Sequence, residues 1–79
     1  MSKRLEERFG EAVKKKRKAL GISVEDLSQM VDVTPRYIYK IEAGERMPRM
    51  DVALRIIAAL EIDIKGFFSH IDTDANMKG

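Results

Sequence analysis

The chain has 79 residues and a net charge of +2, which suits one small domain, and its lack of cysteine excludes disulfide staples and thiolate metal sites. His70 is the one histidine, so neither an imidazole cluster nor a serine–histidine–carboxylate set can be assembled, and no enzyme activity, cofactor or metal is expected. No apolar run reaches the roughly 18 residues of a membrane span and no secretory signal opens the chain, so the expected location is cytoplasmic.

The charge is unevenly placed. Residues 1–20 hold eight Lys/Arg against three acids, whereas residues 21–50 and 51–79 are slightly acidic. A sequence pI near 9.0 fits a nucleic-acid binder without requiring one.

The pattern is helical throughout. In the first segment Leu5, Phe9, Ala12, Val13, Lys16/Arg17 and Leu20 recur at helical spacing, with Ser2 as the candidate cap. Gly21 ends this helix through a left-handed backbone. Ser23-Val24-Glu25-Asp26 is close to a capping box and opens a second helix with Leu27, Met30 and Val31 on its apolar face. Only Asp32 and Val33 separate it from the next cap, Thr34, so the chain must turn sharply there.

Pro35 follows Thr34 at the first helical position, where its missing N–H costs nothing. That third helix runs to about Glu42, and Gly44 stops it. Ile38 and Ile41 share an inward face, while Pro35, Arg36, Tyr39 and Lys40 form a second stripe directed away from the core. Residues 45–49 read as a loop. Asp51 or a near neighbour caps a fourth helix, Val52 to Leu60, and a short fifth helix is expected from Asp63 through Ile64, Phe67 and Phe68. The expected fold is therefore all-α, a compact five-helix domain over residues 1–71 with a helix-turn-helix at about 23–42. Residues 72–79 read as a flexible polar tail.

The elements Val13-x-x-x-Arg17-x-x-x-Gly21-Ile22-Ser23, Leu27, Val33-Thr34-x-x-x-Ile38-x-x-Ile41-Glu42-x-Gly44-x-x-x-Pro48 and Leu60 occur together and in register. In this set the run from Phe9 to Phe68 resembles the lambda repressor/Cro-type (XRE-like) helix-turn-helix family. The resemblance implies that the third helix enters the DNA major groove while the preceding helix crosses the backbone. Carried over by position, Pro35, Arg36 and Lys40 are the base-facing candidates. Arg36 can fork two hydrogen bonds onto guanine O6 and N7. Lys40 can reach a guanine or a phosphate. Pro35 offers only apolar contact at a position where many relatives carry a polar residue.

Ser23, Thr34, Tyr39 and Arg46 are the candidates for the phosphate backbone. Tyr39 could stack on sugar, donate to a phosphate, or simply pack on Arg36 or Lys40. Val24 stands where relatives often place a glutamine, which removes one customary phosphate contact. Tyr37 is expected to pack over the motif's own turn. By the same resemblance Arg17 and Glu42 form a structural ion pair that fixes the angle of the reading helix.

Val52, Ala58, Ile64, Phe67, Phe68 and Ile71 give the second half of the chain more apolar residues than one small core holds. Ile64, Phe68 and Ile71 are therefore the expected dimer interface. The expected function is sequence-specific binding of double-stranded DNA by a homodimeric transcriptional regulator on a near-palindromic operator. No attached ligand or cleavage domain is expected, so control would come from concentration. A phage or mobile-element regulator and a restriction–modification controller both fit. The alternative is a protein-binding module on the same scaffold, such as an antitoxin.

Overall fold

The computed structural model describes residues 3–65, and among them the chain forms four helices: α1 (Leu5–Ala19), α2 (Val24–Val31), α3 (Pro35–Glu42) and α4 (Met50–Leu60). The expected count was five. Of the fifth segment only Asp63 to Lys65 falls within the described residues. There the Asp63 carboxylate accepts the Lys65 N–H at 3.0 Å. Phe67, Phe68, Ile71 and the tail at 72–79 lie outside them.

Local chemistry sets each boundary. Helix α1 starts two residues later than a Ser2 cap would place it. Arg4 is the N-cap, and the Glu7 side chain reaches back to accept its N–H at 3.1 Å. At the other end Gly21 adopts φ 71°, Ile22 N–H bonds Arg17 O and Gly21 N–H bonds Lys18 O, the paired closure of a Schellman motif. Acids in the first turn and Lys16, Arg17 and Lys18 in the last complement the helix dipole.

Helix α2 is capped by Ser23, whose hydroxyl accepts the Asp26 N–H at 2.9 Å. Asp32 closes it at φ 60°, a left-handed conformation that a short polar side chain tolerates. That single reversed residue makes the turn between α2 and α3 as tight as the spacing demands. Thr34 then caps α3 by accepting the Tyr37 N–H at 3.2 Å, with Pro35 in the first turn. Helix α4 begins at Met50 rather than Val52, and its N-cap is Arg49, two residues before Asp51. Asp51 lies inside the first turn, where its negative charge favours the N-terminal dipole.

The core comprises Phe9 and Val13 of α1; Val24, Leu27 and Val31 of α2; Ile38 and Ile41 of α3; and Val52, Ala53, Ile56 and Leu60 of α4. Val52, counted in the sequence among the surplus apolar residues, is a core residue at 1% exposure. Helix α3 packs against α1 and α2, and α4 packs against the same two helices. The contact with α1 is unusually close. A Cβ on Gly10 would stand 2.2 Å from Ile41 O and 3.0 Å from Glu42 O, so the two backbones meet where only a glycine fits.

Candidate nucleic-acid interface

Helix α3 divides cleanly into two faces. Ile38 and Ile41 are completely buried, whereas Thr34, Pro35, Arg36 and Tyr39 are exposed and Lys40 is half-buried. A helix rooted by two isoleucines in the core holds its outward side chains at fixed angles. Arg36 and Lys40 lie four residues apart, one turn along the same side. Tyr39 is 55% exposed.

Ser23 and Thr34 stand exposed at the N-termini of α2 and α3. Each hydroxyl already accepts a backbone N–H three residues on. Each still has its own proton, which can be donated to an anionic oxygen. At α2 the Asp26 carboxylate also accepts the Ser23 N–H at 3.5 Å, so this helix end carries a negative charge of its own.

The C-terminal end of α3 is clamped. Arg17 Nε donates to Glu42 Oε2 at 2.6 Å and its terminal amine to Oε1 at 3.1 Å, a bidentate pair whose side chains are 11% and 6% exposed. The remaining amine donates to Ile22 O at 2.9 Å, so α1, the α1–α2 turn and the end of α3 converge on one guanidinium. The Glu42 hydrogen bond raises the pKa of Arg17 above its ordinary value against the opposing effect of burial. A proton held more tightly in the folded state stabilises the fold below the ordinary guanidinium range and is lost only above it. Arg17 deprotonation therefore plays no part at neutral pH.

Three features of this region are not evident from sequence spacing. Gly10 is the first. Second, Arg55 on α4 donates to Val31 O at 2.9 Å and to Asp51 at 3.1 Å, tying α4 to the last turn of α2. Third, Tyr37 touches the loop after α3. The Arg46 guanidinium lies over its ring, 5.1 Å from the centroid, and its hydroxyl accepts the Arg49 N–H at 3.4 Å. A glycine inside a helical pattern is a signal that could have marked Gly10 in advance. The contacts of Arg55 and Tyr37 cross between elements and have no counterpart in local spacing.

The sequence profile of a helix-turn-helix family, HTH_3, matches residues 13–67. The chain belongs to this family. It is 37% identical over 68 residues, 82% of its length, to a Methanocaldococcus jannaschii protein designated as an HTH-type transcriptional regulatory protein. It spans only 21% of that relative's length. The fold is similar to that of the clp gene regulator ClgR from Corynebacterium glutamicum, with TM-score 0.79 and 18% identity over 99% of this chain and 83% of that one. It is also similar to an HTH_3 family transcriptional regulator from Vibrio cholerae, with TM-score 0.70 and 25% identity over 86% of this chain and 38% of that one. The family is one of DNA-binding transcriptional regulators, and the matched span covers α2, α3 and α4. Among the described residues no helix is long and apolar enough to cross a membrane.

Proposed function

We propose that this chain binds double-stranded DNA sequence-specifically as a homodimeric transcriptional regulator, with α3 in the major groove. One observation carries the reading. Helix α3 buries Ile38 and Ile41 completely and is clamped at Glu42, yet exposes Arg36 and Tyr39, neither of which has a hydrogen-bond or ion-pair partner for its side chain among the described residues. A cationic, aromatic stripe on a rigid helix suits a polyanion with readable edges.

In this reading Pro35, Arg36 and Lys40 face the bases, and Ser23, Thr34, Tyr39 and Arg46 meet phosphates. Arg36 supplies the bidentate guanine contact. Pro35 brings only apolar surface to the first base step, such as a thymine methyl. Selection of bound duplexes from a random pool tests the reading. A recurrent motif is expected, and an unselected pool would reject it. Arg36→Ala should then lose about 1–3 kcal/mol of preference at one base pair, whereas Arg46→Ala should weaken all sequences alike and flatten the salt dependence.

Support for the homodimer comes from the apolar surface beside α4. Leu5, Met50, Leu54 and Ile64 are exposed around one groove floored by Phe9 and Ala53. Of the proposed interface residues, Ile64 lines this groove, while Phe68 and Ile71 fall outside the described residues. The partner is a second copy of the chain, and the operator is then near-palindromic, its half-sites about one helical turn apart, ~34 Å. Leu54→Glu should shift the sedimentation equilibrium toward monomer and weaken operator binding without changing the half-site motif. A wild-type chain that sediments as a monomer at micromolar concentration and selects single, asymmetric sites would reject the dimer.

A further inference from the structure

Tyr37 lies on the reading helix but not on its exposed stripe. It is half-buried, and both ends of its side chain are engaged by the segment that follows α3. The ring carries the Arg46 guanidinium at 5.1 Å, and the hydroxyl accepts the backbone N–H of Arg49 at 3.4 Å. Between these two points Pro48 is buried. The loop is thus held against α3 at two places by one residue.

The two arginines are not equivalent. The Arg49 guanidinium is directed to Asp51 at 3.4 Å, whereas Arg46 has the Tyr37 ring beneath it. A guanidinium held over an aromatic ring by cation–π attraction keeps N–H donors for a further partner. An arginine on an untethered loop loses more rotamer freedom when it binds than one already stacked.

We propose that Tyr37 is a positioning residue: it presents the edge of Arg46 to a DNA phosphate at a fixed offset from the bases read by α3. This inference rests on the DNA-binding reading above. Backbone register and base reading are then set by one helix. The hydroxyl contact to Arg49 fixes the path of the loop, and the ring fixes the side chain.

The test has one readout without DNA and one with it. In the free protein the Arg46 side-chain protons should show an upfield ring-current shift by NMR. Tyr37→Phe should keep that shift and Tyr37→Leu should abolish it. On the selected duplex, Tyr37→Leu should reduce the slope of log K against log salt by about one, with affinity falling several-fold at low salt and base preference unchanged. Adding Arg46→Ala to Tyr37→Leu should cause little further loss. A changed base preference at unaltered slope would make Tyr37 a direct reader and overturn the proposal. So would a Tyr37→Leu protein with wild-type slope and affinity. Should Tyr37→Leu fail to fold, the wild-type ring-current shift and the slope of Arg46→Ala decide. An absent shift, or an unchanged slope, overturns the role. If the wild-type shift is present but no duplex is ever selected, the DNA-binding reading has failed and the positioning role falls with it.

Discussion

Gly10→Ala should destabilise the domain by about 2 kcal/mol or more, although alanine is the better helix former. The helix-propensity change alone favours alanine by about 1 kcal/mol. Against it stands a Cβ placed 2.2 Å from Ile41 O and 3.0 Å from Glu42 O. Both are backbone atoms, so no side-chain rotation relieves the clash, and α1 must move off α3. Overpacking of a tight core costs about 1–3 kcal/mol and more when the obstacle is rigid, so the steric effect wins. For a domain of this size the melting temperature should drop by roughly 10 °C, read from a thermal scan. DNA affinity should fall too, because the displaced end belongs to α3, the proposed reading helix. An alanine variant that melts at or above the wild-type temperature would show that the helices separate freely.

Breaking the Arg17–Glu42 pair from one side should be costlier still. Arg17→Met leaves a carboxylate that is 6% exposed without its two charge-assisted hydrogen bonds, and frees Ile22 O as well. Loss of one partner of such a buried pair costs about 3–5 kcal/mol, a large share of the stability of a small domain. The double variant Arg17→Met/Glu42→Leu should regain much of that loss, since neither charge is then buried alone. Urea unfolding of the two single variants and the double variant measures the coupling. Strictly additive losses would mean that the pair does not act as a unit. If the recovered double variant still binds the selected duplex more weakly than wild type, the pair's contribution is the angle of α3 and not merely its stability.

The architecture was legible in the sequence wherever the determinant is local. Ser23, Thr34 with Pro35, Gly21 and Gly44 act through neighbours within a few residues, and the boundaries of α2 and α3 follow from them. The burial of Ile38 and Ile41 follows from period alone. The start of α1 was not legible in the same way. Arg4 is a poor cap by side-chain chemistry, and the Glu7 carboxylate does the capping from inside the helix. Nor was the burial of Val52, which depends on how α4 leans on α1 and α2.

The candidate interface divides along the same line. The outward stripe of α3 is a matter of helical geometry and could be drawn on a wheel. The pairing of Arg17 with Glu42 joins residues 25 apart and was expected only through family resemblance. Arg55 on Val31 O, Arg46 on Tyr37 and the approach of Gly10 to Ile41 O arise from tertiary placement, and periodicity in one dimension cannot encode them.

Apart from Tyr37, the two faces of α3 share no side chain. Ile38, Ile41 and Glu42 belong to the scaffold, while Arg36, Tyr39 and Lys40 belong to the surface. The helix can therefore be recoded: a library varied at the three surface positions and constant at the three scaffold positions should yield folded proteins with new operator preferences. Tyr37 sits at the seam, and a recoded helix that keeps it inherits the loop geometry of the parent.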